Sequence, residues 1–410
     1  MRQNLLENWF LMTSKKYYNF ILLSICLLPF VDNITGASGF EISLYFRMFL
    51  LTLVIIPALT VSYDKTLVLL GLVLVLLFPL VVREMIGIAK PYLYYDFVIT
   101  VKILYTFLLT EGLIKGLKTN GISRKMLVNT AIIMTFMYSL PIVIFNFLGM
   151  GFSAYADRGS SAFVRAANDL SLLIGILAPF VYRACKNIRV RILGFGLLIL
   201  YIVSLLLLTT KSGMIAVFMI LFMIFIDLIK SRFKWLILSI LLFGSILCAL
   251  LFMNMSIFSR IFDSYEEIYR EYGILAVLFR GRDIAFANIP VLVEKMNYFE
   301  LFFGKGMGHY ARDFGEISFY YYKKIWKSAE VDQIDIFFSY GMIGSFLIYV
   351  YYIRRSLSSF LAKKNVVNLK YSLILFWIHS VMAGHAIMSP IVGTGIAIVF
   401  ALGATDKGQS

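Results

Sequence analysis

The sequence predicts an all-α polytopic membrane protein of about twelve transmembrane helices with one large outer loop containing short helices. Three observations carry this. Of the 410 residues, 60% are hydrophobic and 15% charged, against about 45–50% and about 25% in an ordinary soluble domain. The apolar residues run continuously over lengths near the roughly 20 residues a spanning helix needs, and do not alternate as β-barrel strands would. Basic residues recur in every second loop, as cytoplasmic loops of membrane proteins do. With a mean hydropathy of +0.86, neither a soluble fold nor a disordered chain can accommodate so much apolar surface.

Taken in order, the apolar stretches are 17–33, 42–62, 66–83, 92–113, 126–148, 167–183, 192–210, 212–229, 235–257, 333–353, 371–388 and 389–405. The last two form one run split at Ser389-Pro390. Proline there marks a reversal or a kink, so eleven spans are also compatible with the pattern. The chain divides into helices 1–9 (residues 1–257), a large loop (258–332), and helices 10–12 with the C-terminus (333–410).

The net charge of +15 suggests nucleic acid until the charges are located. Lys115, Lys118, Arg124 and Lys125 follow the fourth span, and Arg183, Lys186, Arg189 and Arg191 the sixth. Lys230, Arg232 and Lys234 follow the eighth; Arg354, Arg355, Lys363, Lys364 and Lys370 follow the tenth. With Lys15 and Lys16 before the first span, both termini are expected on the cytoplasmic side, and no nucleic acid is needed. The first helix is expected to remain uncleaved, because no small-residue cleavage site follows it at the right distance. Residues 259–335 hold 12 of the 23 acidic and ten of the 38 basic residues. An enzyme acting at the outer leaflet has use for such an appendage; a transporter core rarely does. Within it, Ile284 to Val293 forms an apolar band suited to a surface helix. Cys26, Cys185 and Cys248 sit in or beside apolar runs and read as buried small hydrophobes. No metal-ligand spacing is present.

Four clusters can carry chemistry. Arg158-Gly-Ser-Ser-Ala-Phe-Val-Arg165 precedes the sixth span, where guanidinium groups and a helix N-terminus suit a phosphate; a lipid-facing arginine pair capped by Asn168 or Asp169 is the plain alternative. Arg280-Gly-Arg282-Asp283 offers further guanidiniums, or a surface ion pair. Phe302-Phe-Gly-Lys-Gly-Met-Gly-His309 has three glycines but no strand before it, so it reads as a turn re-entering the membrane surface. Glu330, Asp332 and Asp335 enter the tenth span, where acids are costly and point to function, although a helix dipole also favours them. Lys211, in Thr-Thr-Lys-Ser-Gly, sits at an outer span end. His379 and His385 are expected to hydrogen-bond within the bundle.

The order of these features resembles the O-antigen polymerase family of bacterial inner-membrane glycosyltransferases. The resemblance runs over residues 155–345 by motif and elsewhere by hydropathy. The related O-antigen ligases share the layout but carry His-Asn where Glu330-Val331 stand here, and an arginine missing from Lys211-Ser212-Gly213. Both departures favour the polymerase. The resemblance implies a metal-independent, cofactor-free enzyme. It would join undecaprenyl-diphosphate-linked oligosaccharide repeat units at the periplasmic face and release undecaprenyl diphosphate. On physical grounds Arg158, Arg165 and Arg282, with Arg280 and Lys211, suit the departing diphosphate, and Glu330 suits the base, with Asp332 and Asp335 as alternates or orienters. Membrane lipids and a chain-length regulator protein are the expected partners. The competing readings are the ligase and, from another class, a flippase or secondary transporter.

Overall fold

The computed structural model describes residues 2–59, 63–85, 92–154, 159–229, 266, 269–270, 282–322, 328–362, 369–382 and 384–404. The ninth expected span (235–257), Cys248, Arg158 and Arg280 lie outside the described residues. Among the described residues the regular structure is entirely helical, with one isolated bridge between Ser161 and Phe163.

The helices are α1 (Arg2–Ser38), α2 (Ile42–Leu59), α3 (Tyr63–Met85), α4 (Leu93–Lys118), α5 (Arg124–Phe147), α6 (Ala167–Ile176), α7 (Ala178–Asn187), α8 (Arg191–Leu207) and α9 (Lys211–Ile229). Then follow α10 (Arg282–Glu294), α11 (Tyr298–Phe303), α12 (Met307–Tyr322), α13 (Asp332–Phe360), α14 (Leu369–Met382) and α15 (Pro390–Ala404). Among the described residues, five helices are individually long and apolar enough to cross a membrane: Lys15–Ser38 of α1, then α2, α4, α5 and α13. The pair α6–α7, bent by 50°, makes a sixth. Four shorter apolar helices accompany them. This is the build of a helical membrane protein.

The breaks have local causes. Pro179 cannot donate to Gly175, and its ring disfavours a helical residue before it, so the sixth apolar stretch bends after Ile176. Met382 ends α14 and Pro390 begins α15, where proline loses no helical hydrogen bond; six non-helical residues, 384–389, separate them from the α15 start. Helix α13 is interrupted at Gly341 (φ 65°, ψ −170°).

The chain forms two compact units, residues 218–295 and the remainder. In the larger unit α4 is central, packed against α2 and α15. Helix α15 is apolar on every side and buried from Val392 through Gly403, as an all-round hydrophobic helix must be. The smaller unit contains α10, in which Leu292 is buried and Phe286 exposed. Cys185 is buried and Cys26 half-buried, as small hydrophobes in a bundle are.

Among the described residues, two buried carboxylates inside the bundle are paired with arginines. Arg47 grips Asp32 with both terminal nitrogens, at 2.6 and 2.7 Å, while Ser43 and Tyr138 also donate to that carboxylate. Toward the opposite end of α4, Arg355 pairs with Glu111, and Arg124 donates to the Leu402 carbonyl at 3.0 Å.

Candidate functional site

The first turn of α13 organises one end of the bundle. Asp332 is fully buried. Its Oδ2 accepts the backbone N–H groups of Ala386 and Ile387 at 3.0 and 3.1 Å, which ties down the non-helical 384–389 segment. Asp335, also fully buried, accepts from the Tyr310 hydroxyl at 2.8 Å and from the Ala329 N–H at 3.0 Å. Burial, reinforced by Asp335, pushes the Tyr310 phenol well above its ordinary pKa, so it remains a neutral donor. Both aspartates therefore hold backbone in place. Glu330, between the two anchor points, is exposed. It adopts φ 54°, a left-handed conformation costing about 1–2 kcal/mol for a non-glycine residue. A β-carbon on Gly384 (φ 63°) would lie 2.0 Å from the Glu330 carbonyl oxygen, so glycine is required where these two loops cross. His385 stands in the field of Asp332 and Asp335, and also of Asp169.

The Gly-Lys-Gly-Met-Gly segment docks against the break in α13. Lys305 N–H donates to the Phe338 carbonyl at 2.8 Å and Gly306 N–H to Ser339 at 3.1 Å. These are carbonyls that the interruption at Gly341 deprives of helical partners. A β-carbon on Gly304 would sit 2.2 Å from the Ser339 carbonyl oxygen. Gly308 N–H donates to Asp96 in the first turn of α4 at 2.7 Å. The Lys305 ammonium is 4% exposed and pairs with Asp313 at 2.8 Å; Arg312 adds a second cation at 3.0 Å. Burial opposes ionisation of Asp313, but these hydrogen bonds outweigh it and hold its carboxyl below the ordinary range. The glycines thus serve a backbone junction, and the lysine an internal ion pair.

Beside the acidic turn a cavity of about 270 Å³ opens between α1, α2, α4, α6 and α15, with Glu41, Arg47, Lys102, Asp169 and Pro390 among its walls. Asp169 accepts a hydrogen bond from Ser389 and lies in the field of His385, Lys102 and Glu330. It joins the cavity electrostatically to the Glu330 loop.

Among the residues singled out by sequence, Glu330, Asp332 and Asp335 share this end. Arg165 is exposed, with its guanidinium carbon 5.6 Å from the Phe152 ring centroid, a cation–π distance. Lys211 opens α9, whose start is capped by the Thr210 hydroxyl accepting from Gly213 N–H at 3.0 Å; Ser212 meets Ser171 of α6 at 2.6 Å. The Arg282 backbone begins α10, in the smaller unit, and its side chain lies outside the described residues. His309 packs edge-on against Tyr92, and His379 is 2% exposed. Sequence reasoning passed over Lys102, Asp32, Arg47 and Asp96. Each is a charge inside an apolar stretch, and that was the available signal. Among the described residues no group of three or more potential metal ligands occurs. A scan against protein-family models and a comparison with curated proteins each return no match.

Proposed function

We propose that this chain is a membrane glycosyltransferase of the O-antigen polymerase type, joining saccharide repeat units carried on undecaprenyl diphosphate. The reading places twelve spans in the bacterial inner membrane, both termini in the cytoplasm, and the Glu330 end at the periplasmic face. The observation that carries it is the acidic turn of α13. Two buried aspartates each commit one oxygen to backbone N–H groups, while the exposed Glu330 is held in a left-handed conformation beside an open cavity walled by charged and apolar side chains. In the proposed reaction the Glu330 carboxylate accepts the proton of an acceptor sugar hydroxyl as that oxygen bonds to the donor's anomeric carbon. The bond from that carbon to the diphosphate oxygen breaks, and undecaprenyl diphosphate departs with the electron pair. General-base help of this kind contributes roughly 10²–10⁴-fold. Arginines 158, 165, 280 and 282 are the proposed counter-charges for the leaving group, with Lys211.

The test is elongation by purified protein supplied with lipid-linked repeat units and scored for a ladder of products, with and without chelator. Glu330→Gln is expected to lose at least a hundredfold in rate, with no loss of thermal stability. Glu330→Gly removes the carboxylate and relieves the left-handed strain, so it should fold at least as well and be equally inactive. Wild-type rates from either variant overturn the assignment of the base.

A second reading has one specific observation in its favour. Interrupted helices at Leu177 and Gly341 resemble the broken helices that transporters build around a midplane site. Uptake of lipid-linked saccharide into vesicles without elongation would favour that reading.

A further inference from the structure

The charge balance of the cavity beside Asp169 selects its ligand. Arg47, 4% exposed, is already neutralised by Asp32; its Nε–H has no acceptor among the described residues. Lys102 is half-buried and lies in the field of both Glu41 and Asp169. One ammonium thus faces two carboxylates. A diphosphate entering here would meet net repulsion, strengthened by the low-dielectric walls. An uncharged polyol meets none. Carboxylates are strong acceptors for hydroxyl groups, ammonium and guanidinium N–H are strong donors, and Leu44, Val98 and Ile391 on the walls suit the C–H face of a ring. A volume of about 270 Å³ accommodates one ring rather than a lipid-linked oligosaccharide.

We infer that this cavity is a subsite for one uncharged sugar ring, with Glu41 and Asp169 accepting from its hydroxyls and Lys102 donating to it. The inference rests on the saccharide reading above for the class of ligand. It assigns the diphosphate to a different place.

The experiment uses the full chain in detergent and measures saturable binding, without turnover, of four probes: glucose, N-acetylglucosamine, glucuronate and inorganic pyrophosphate. A neutral sugar should bind, and pyrophosphate should not compete for its site. Lys102→Met and Glu41→Gln should each weaken that binding roughly tenfold or more, the loss expected for one charge-assisted hydrogen bond. Lys102→Arg should retain part of it. Val98→Phe, which narrows the cavity without touching a charge, covers the case in which Lys102→Met fails to fold, and should abolish binding. Preference for pyrophosphate or glucuronate, absence of neutral-sugar binding, or wild-type affinity in the variants overturns the inference. Sugar binding without elongation leaves the cavity assignment standing and removes the polymerase reading. Elongation with unchanged KM in Lys102→Met does the reverse.

Discussion

The pairing of Arg47 with Asp32 should behave as a coupled unit whose halves are each worth more than the whole. Both side chains are at most 5% exposed, and the two N–H···O contacts are 2.6 and 2.7 Å, a bidentate geometry. Arg47→Met leaves the Asp32 carboxylate buried with hydroxyl donors only. Removing one partner of a buried pair costs about 3–5 kcal/mol. Asp32→Leu strands the guanidinium at a similar cost. The double variant strands no charge. It leaves the buried Tyr138 hydroxyl without its acceptor, which costs about 1–3 kcal/mol, while Ser43 is half-buried on the cavity wall and can turn to solvent. The double variant should therefore be more stable than either single one, with a coupling of about 2–3 kcal/mol or more. The assay is SDS titration of the full chain in mixed micelles, followed by circular dichroism. Additive effects, or a single variant costing less than about 1 kcal/mol, refute the reasoning, because the pair would then be hydrated and the cavity wall it builds would not be rigid.

Other expectations follow from the same contacts. Gly384→Ala should lower thermal stability by more than about 1 kcal/mol, since its β-carbon would meet the Glu330 carbonyl oxygen at 2.0 Å, and should also slow elongation by displacing that loop. Asp335→Asn keeps an acceptor for Tyr310 and Ala329 and should be mild, whereas Asp335→Leu orphans the Tyr310 hydroxyl, at about 1–3 kcal/mol, and leaves the Ala329 N–H only the Tyr310 oxygen at 3.1 Å; chemical denaturation separates the two. Asp313 has a folded-state pKa below its ordinary value. Its contribution to stability is complete above the ordinary carboxylate range and is lost as pH falls through the depressed value. Lys305→Met should raise that value and move the acid-side loss of melting temperature to higher pH.

Much of the fold was legible because a continuous apolar run of spanning length marks a helix whether its faces meet protein or lipid. The stretches 42–62 and 126–148 correspond to α2 and α5 within a few residues, and 333–353 lies inside α13, which continues to Phe360. The split at Ser389-Pro390 was visible as a proline, though not that six residues before it would be pinned by Asp332. The break at Gly341 was not legible. A Tyr-Gly-x-x-Gly in an apolar run looks like an ordinary packing glycine, and only the Lys305 and Gly306 N–H groups docking on its stranded carbonyls make the interruption stable. The acids of α13 were visible as costly charges, but sequence spacing could not show that Asp332 and Asp335 each hold backbone while Glu330 is exposed. Lys102 was overlooked for the opposite reason: its neighbours Glu41 and Asp169 lie 61 and 67 positions away in sequence, just before α2 and on α6.

The distribution of charge also bears on where a diphosphate would be neutralised. At this end Arg47 belongs to Asp32, Lys305 belongs to Asp313, and Lys102 faces two carboxylates. None can meet a doubly charged leaving group without abandoning an existing partner, which in a low-dielectric setting is as costly as the ion pair lost. Arg165 differs. It is exposed and lies against the face of Phe152, a contact that orients a guanidinium while leaving its N–H fork available. In the proposed reaction Arg165→Gln should therefore slow elongation through the leaving group while leaving neutral-sugar binding in the cavity unchanged. Arg165→Lys should recover little, because an ammonium makes no paired contact with phosphate oxygens. Elongation rate and monosaccharide affinity measured on the same preparation decide it. Parallel loss of both would mean that Arg165 supports the fold, and full rescue by lysine would mean that charge alone, without the planar fork, is what the site uses.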